Sequence, residues 1–288
     1  MEISSLSKFP IQFADCNGIK LAYTDEGGGP AIIFLHGFPD LANTWDSSIK
    51  VLKKEYRCIA PFLRGYYPSG ISKDGSYSLK SIAEDIIALA DHLQLKEFYV
   101  VGQDWGASIT YTLANLAPDR IKKILTIAIP HPACFKINLK LLWFGRHFLL
   151  FRNKKRAIKK TRKNNFQYLD TLYKRWSPDW TNYQNTAHQI KESFQMEGRL
   201  EAALGYYWSF FEDQKNRELS KVYYRRPQMP VLFLGGKNDK GVLPKMLEMM
   251  DEKMPEGSQS LHMNNCGHFL HQEQTKEFLM YLKDFFKD

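Results

Sequence analysis

The segment Gly102-Gln103-Asp104-Trp105-Gly106 has the spacing glycine, x, acid, x, glycine. EFYVVG (97–102) reads as a buried strand and 106–117 as a helix, so Asp104 falls in the sharp turn between them. Flanking glycines let the backbones approach closely there. The positive end of the following helix favours an anion at that point. An aspartate opening a helix is also an ordinary N-cap, so the string alone does not decide. Two later segments add weight. Asn238-Asp239 follows the apolar run VLFLGG (231–236), and Gly267-His268 follows the last short strand. The chain order is therefore nucleophile, acid, histidine. His268 acts as a general base if a carboxylate orients its imidazole, and Asp239 is placed to do so. Taken singly, His268 also reads as a capping or core histidine. His36, His131 and His271 compete with it, and His36 and His271 read as structural.

A carboxylate nucleophile dictates the chemistry. It is ionised near pH 7 and attacks without a base. It displaces at an sp³ carbon and leaves an alkyl–enzyme ester, which histidine-activated water then hydrolyses. The tetrahedral oxyanion needs two donors, for which the backbone N–H groups of Phe38 and Trp105 are the candidates. Epoxides and alkyl halides suit such a group; ordinary esters do not.

The elements around these residues alternate. PIQFADCNGIKLAYT (10–24) reads as two strands about an Asn-Gly turn. AIIFL (31–35), RCIAPF (57–62), 97–102 and KILTIAI (123–129) read as buried strands, with helices expected at 41–56 and 79–94, the latter capped by Ser78. Alternation of this kind implies a mostly parallel, doubly wound sheet with helices on both faces. From about 133 to 222 no convincing strand occurs. The sheet resumes at 231–236, followed by a helix at 244–253, a strand near 258–263 and a helix at 272–287. The expected organisation is an α/β core of residues 1–132 and 223–288 with a helical cap, 133–222, inserted between.

The 288 residues suit such a domain, and 44% hydrophobic with 25% charged residues is ordinary for a globular enzyme. Cys16, Cys58, Cys134 and Cys266 show no metal spacing and read as reduced thiols in a cytoplasmic protein. The N-terminal residues lack the apolar core of a signal peptide, and no run reaches the roughly 20 apolar residues of a membrane span. Charge is concentrated. Between Lys136 and Arg175 stand thirteen Lys or Arg against Asp170 alone, so a segment of +12 leaves the rest of the chain at −3. No nucleic-acid motif accompanies it, and nucleic acid is not an expected partner. A solvated helical face is one reading. The other is a peripheral membrane contact, because LKLLWFGRHFLLF (139–151) runs directly into RNKKRAIKKTRKN (152–164).

The set HGFPD (36–40), LRGY with Ser69, GQDWG (102–106), PHP (130–132), Asp239 and GHFLHQEQ (267–274) resembles the epoxide hydrolase and haloalkane dehalogenase branch of the α/β-hydrolases. The resemblance spans nearly the whole chain and is weakest in the insertion. It implies a hydrophobic small-molecule substrate, a covalent intermediate on Asp104, no cofactor and no metal, in a monomer or homodimer. Within this branch, cap tyrosines serve an epoxide and N–H donors serve a halide. Phe38 after His36-Gly37, where related dehalogenases carry Asn, favours the epoxide group. In GYYWSFF (205–211), Tyr207 matches the second cap tyrosine, with Tyr206 as the alternative. The first falls near Phe151, where no tyrosine stands. Either one donor suffices, or His147 substitutes, or Tyr168 or Tyr173 swings in, or the substrate is not an epoxide. His36, Pro39, Tyr206, His147 and Phe151 are the expected substrate-binding residues. The competing expectations are a dehalogenase using Trp105 with Trp143 or Trp208, and a ligand-binding protein without turnover. Phe62, where many relatives carry Asp, is expected to alter packing near Arg64.

Overall fold

The structure is a computed structural model and describes residues 2–135 and 139–287; of Lys140 and Leu141 it describes the backbone alone. Among the described residues one eight-stranded sheet runs in the order β1 (Ile11–Cys16), β2 (Ile19–Glu26), β4 (Arg57–Phe62), β3 (Ala31–Leu35), β5 (Phe98–Gln103), β6 (Ile121–Ile127), β7 (Val231–Gly236) and β8 (Gln259–Met263). The pairings β1 with β2 and β2 with β4 are antiparallel, and all others are parallel. Asn17 and Gly18 take left-handed φ at the β1–β2 turn, as that dipeptide predicts. The central strands are buried along their whole length, which is why they read as continuous apolar runs rather than alternating ones.

The strand order reverses beside β3: its successor lies on one side and β5 on the other. Crevices at such reversals, beyond the carboxyl ends of the strands, are where open α/β sheets hold ligands. Both 36–39 and Asp104 emerge there.

Helices α1 (Asp46–Leu52), α2 (Leu79–His92) and α3 (Trp105–Leu116) precede the insertion. Ser78 caps α2 by accepting from the Ser81 N–H at 3.0 Å. Between β6 and β7 stand α4 (Leu139–Phe144), α5 (Arg146–Phe151), α6 (Lys154–Trp176), α7 (Gln184–Gln195), α8 (Arg199–Asp213) and α9 (Arg217–Tyr224). Helix α6 is broken at 163–166, where Asn164, Asn165 and Phe166 are left-handed. After β7 come α10 (Pro244–Lys253), α11 (Leu270–Glu273) and α12 (Thr275–Phe286). Two expectations need correction. The 41–56 helix is shorter: Trp45, Ile49 and Leu52 are buried as expected, but α1 stops at Leu52 and the chain turns through 53–56 into β4. The closing helix is split at Gln274, whose φ of −131° and ψ of 52° lie outside helical values.

Arg64 is held by the buried carboxylate of Asp85, at 2.6 Å from Nε and 2.5 Å from Nη2. All four cysteines are buried and unpaired. Among the described residues no helix is long and apolar enough to cross a membrane.

Candidate active site

Strand β5 delivers Asp104 with φ 53° and ψ −118°, a conformation that costs a non-glycine residue on the order of 1–3 kcal/mol. The surrounding backbones over-determine it. A Cβ on Gly102 would strike the Gly106 carbonyl, and one on Gly106 would strike the carbonyl of Leu35. The turn thus aims the carboxylate into the crevice ahead of α3.

Asp104 Oδ1 accepts from the Phe38 N–H at 2.8 Å. Its Oδ2 lies 3.3 Å from His268 Nε2, and His268 Nδ1 lies 2.8 Å from Asp239 Oδ2. Asp239 is fixed in turn by the Gly241 N–H, at 2.9 Å from Oδ1. The insertion also reaches His268: its N–H donates to the Trp176 carbonyl at 3.0 Å, and the Trp176 ring stands 5.0 Å from the imidazole. Burial works against charge on His268, but the Asp239 and Asp104 carboxylates outweigh it and push the imidazole up to about 10. In this state the histidine is a cation between two anions.

A family model described as alpha/beta hydrolase fold matches residues 30–275. The chain is a member of the α/β-hydrolase family. It is 28% identical to an AB hydrolase superfamily protein of Bacillus subtilis, over 95% of this chain and 98% of that one. It is 28% identical to an epoxide hydrolase of Caballeronia sordidicola, over 91% of this chain and 88% of the relative. In three dimensions it superposes on an epoxide hydrolase of Vigna radiata with a TM-score of 0.82 at 23% identity, covering 96% of this chain and 98% of that one. This α/β-hydrolase is thus epoxide hydrolase-like in sequence and shares that fold.

Above Asp104 the hydrolase has an aromatic wall. The Tyr207 ring lies 4.9 Å from Trp105, 5.5 Å from Phe38 and 4.8 Å from Phe151, in edge-to-face contacts. Burial, then the nearby Asp104 charge, raises the Tyr207 phenol well above its ordinary value, so it stays protonated. Tyr206 faces elsewhere: its hydroxyl donates to the Arg64 carbonyl at 2.8 Å, which removes it as a substrate donor. Two residues on one helix, about 100° apart, thereby receive different roles.

The remaining expected residues divide. Phe151 is buried in the wall. Pro39 is buried beside Phe38, and its carbonyl accepts from the Tyr173 hydroxyl, which commits that tyrosine. His36 needs correction as a substrate-binding residue. Its Nδ1 faces the Gly37 carbonyl at 3.1 Å and its Nε2 accepts from the Leu63 N–H at 3.1 Å, so both ring nitrogens serve the backbone. His147 stands 5.9 Å from the Tyr207 ring, with Arg175 Nη2 3.4 Å from its Nδ1. Burial, then Arg175, pushes His147 down to about 3, so it is a neutral ring and no proton source at pH 7. Tyr168 lies behind Phe151, 6.0 Å ring to ring. Trp208 spends its indole N–H on the Phe151 carbonyl at 2.8 Å, and Trp143 is exposed.

Sequence reasoning passed over Tyr66, although it stands in the quoted LRGY. It is buried, packs edge-on to His36, and its hydroxyl has no partner. Its phenol is raised well above its ordinary value by burial and then by Tyr207 and Asp104. The indole nitrogen of Trp176 is likewise buried and unpartnered. Asp40 was also missed. Burial pushes it up to about 7, and it accepts from Leu41 N–H and Gln272 Nε2 at 2.9 and 3.1 Å.

Proposed function

We propose that this α/β-hydrolase opens a hydrophobic epoxide to a diol through an ester on Asp104. The observation that carries the reading is the ionic line Asp104–His268–Asp239 at the elbow, facing a protonated Tyr207 in an apolar wall. The oxygen held by the Phe38 amide is the one that becomes the ester carbonyl, so Oδ2 attacks the epoxide carbon. The carbon–oxygen bond of the ring breaks, and the alkoxide takes the phenolic proton of Tyr207. Tyr66, the unpartnered hydroxyl, is the second donor that the cap lacks near Phe151.

Esterification removes the Asp104 charge, one of the two carboxylates that hold His268 protonated. His268 then returns its proton toward the Tyr207 phenolate and becomes the neutral base. It next takes a proton from water as the water oxygen adds to the ester carbonyl. The Phe38 and Trp105 N–H groups hold the oxyanion. Collapse breaks the ester bond, the departing alkoxide takes the proton of the new carboxyl group, and Asp104 is again a carboxylate. Protons balance around the cycle: epoxide and water enter, diol leaves.

Against dehalogenation, Trp208, one of the two expected second indole donors, is committed to Phe151, and the other, Trp143, is exposed. The test is the intact mass of the His268→Gln variant after incubation with epoxides and 1-haloalkanes. A gain equal to the whole epoxide on Asp104 supports the reading. A gain of the alkyl group alone, with halide released, replaces it by dehalogenation. No adduct from any compound overturns it in favour of ligand binding without turnover.

A further inference from the structure

Large apolar side chains are exposed in a cluster on α4 and α5. Leu139 is 85% exposed, Trp143 71%, Leu149 68% and Leu142 51%. Scattered single residues of this kind are ordinary, but a contiguous group rimmed by polar residues marks an interaction surface. The rim here has one sign. Arg152, Lys154, Lys155, Arg156, Lys159, Lys160, Arg162 and Lys163 follow directly and are exposed. Among the described ion pairs of these cations only Arg162 takes part, with Glu201. Lys136 lies outside the described residues, and the side chain of Lys140 is not described.

A cavity of about 390 Å³ is lined by Arg146, Arg156, Lys160 and Arg175, with Tyr168, Thr171 and Leu150. Among the described residues that line it there is no carboxylate. The Nε of Arg175 is buried and has no partner. The charged lining of the cavity is thus wholly cationic.

We propose that α4, α5 and the first half of α6 dock the protein on an anionic lipid bilayer. Trp143 and the leucines enter the headgroup–acyl boundary, where Trp side chains are favoured. The lysines and arginines meet the anionic headgroups, one of whose phosphates fits the Arg146–Arg175 cavity. Charge argues for this occupant over a second copy. A two-fold contact through the face would set each basic run against its own copy, with no acid between residues 136 and 169 to offset it. The inference does not depend on the hydrolase reading, since its test uses no substrate.

The test is cosedimentation of the full chain with phosphatidylcholine vesicles, with and without phosphatidylglycerol, at low and high salt. The expected result is at least about tenfold stronger partition to the anionic vesicles, lost in high salt. Trp143→Ser/Leu149→Ser and Lys155→Glu/Lys159→Glu are each expected to weaken partition about tenfold with unchanged melting temperature, because these side chains are exposed. Equal binding to both vesicle types, or binding untouched by either double variant, overturns the proposal. So does equally strong binding to soluble polyglutamate that ignores Trp143 and Leu149, which would assign the face to an acidic protein.

Discussion

The Phe38 backbone N–H donates to Asp104 Oδ1 at 2.8 Å. The donor assigned to the oxyanion is thus already engaged with the carboxylate before any substrate is bound. Its position is set by the β3 exit loop, and that of the carboxylate by the β5 elbow. The two strands are hydrogen-bonded neighbours, so the pair is fixed by the sheet itself.

Asp104→Asn tests the proposed nucleophile without disturbing this contact. Asn tolerates positive φ and keeps an oxygen for the Phe38 N–H. Turnover of an epoxide is expected to fall on the order of 10⁴-fold or more. The melting temperature should change little. Retention of a tenth of the wild-type rate would remove Asp104 from the covalent role.

His268 links the site to pH. Its folded value, about 10, is raised above the ordinary 6.5. The stabilisation from its ion pairs is therefore fully present below about pH 6.5 and is lost as pH rises through about 10. Denaturant unfolding of wild type and His268→Gln at pH 6, 8 and 10 should show a stability difference that shrinks toward the alkaline end. A difference independent of pH would mean that the histidine is not held as a cation.

Tyr207→Phe and Tyr66→Phe separate the two phenols. Loss of a proton donor costs on the order of 10²–10⁴-fold in the ring-opening step. Tyr207→Phe is expected to slow that step by at least about a hundredfold. Tyr66→Phe should slow it less. Because its hydroxyl is buried without a partner, Tyr66→Phe should leave stability unchanged or raise it. Unchanged single-turnover rates in Tyr66→Phe would leave that residue a packing tyrosine.

Arg64→Ala probes the support behind the site. It strands the buried Asp85 carboxylate, and losing one partner of a buried pair costs about 3–5 kcal/mol. Chemical denaturation should register a loss of that size. The Arg64→Ala/Asp85→Ala double variant should recover part of it, and no recovery would show that the pair is not coupled.

The sheet was the most legible part of the molecule. AIIFL, RCIAPF and VLFLGG match β3, β4 and β7 end to end, because strands covered on both faces are predominantly apolar. Helix ends were less legible: the turn after Leu52 and the break at Gln274 depend on packing that no local pattern encodes. At the site, Asp104, Asp239 and His268 were visible as residues at strand ends. The sorting of Tyr206 from Tyr207 was not, since it depends on which side of α8 meets the Arg64 carbonyl. The same holds for His147, whose neutral state is imposed by burial and by Arg175, a residue twenty-eight positions away. Tyr66 was within reach: a tyrosine beside the buried arginine of a recognised motif deserved weighing.

The grip of Trp176 on His268 has a mechanical corollary. The carbonyl that anchors the histidine backbone and the indole that backs its ring both come from the last turn of α6. Any displacement of this helix from the sheet therefore disturbs the backbone anchor and the ring contact of His268 together.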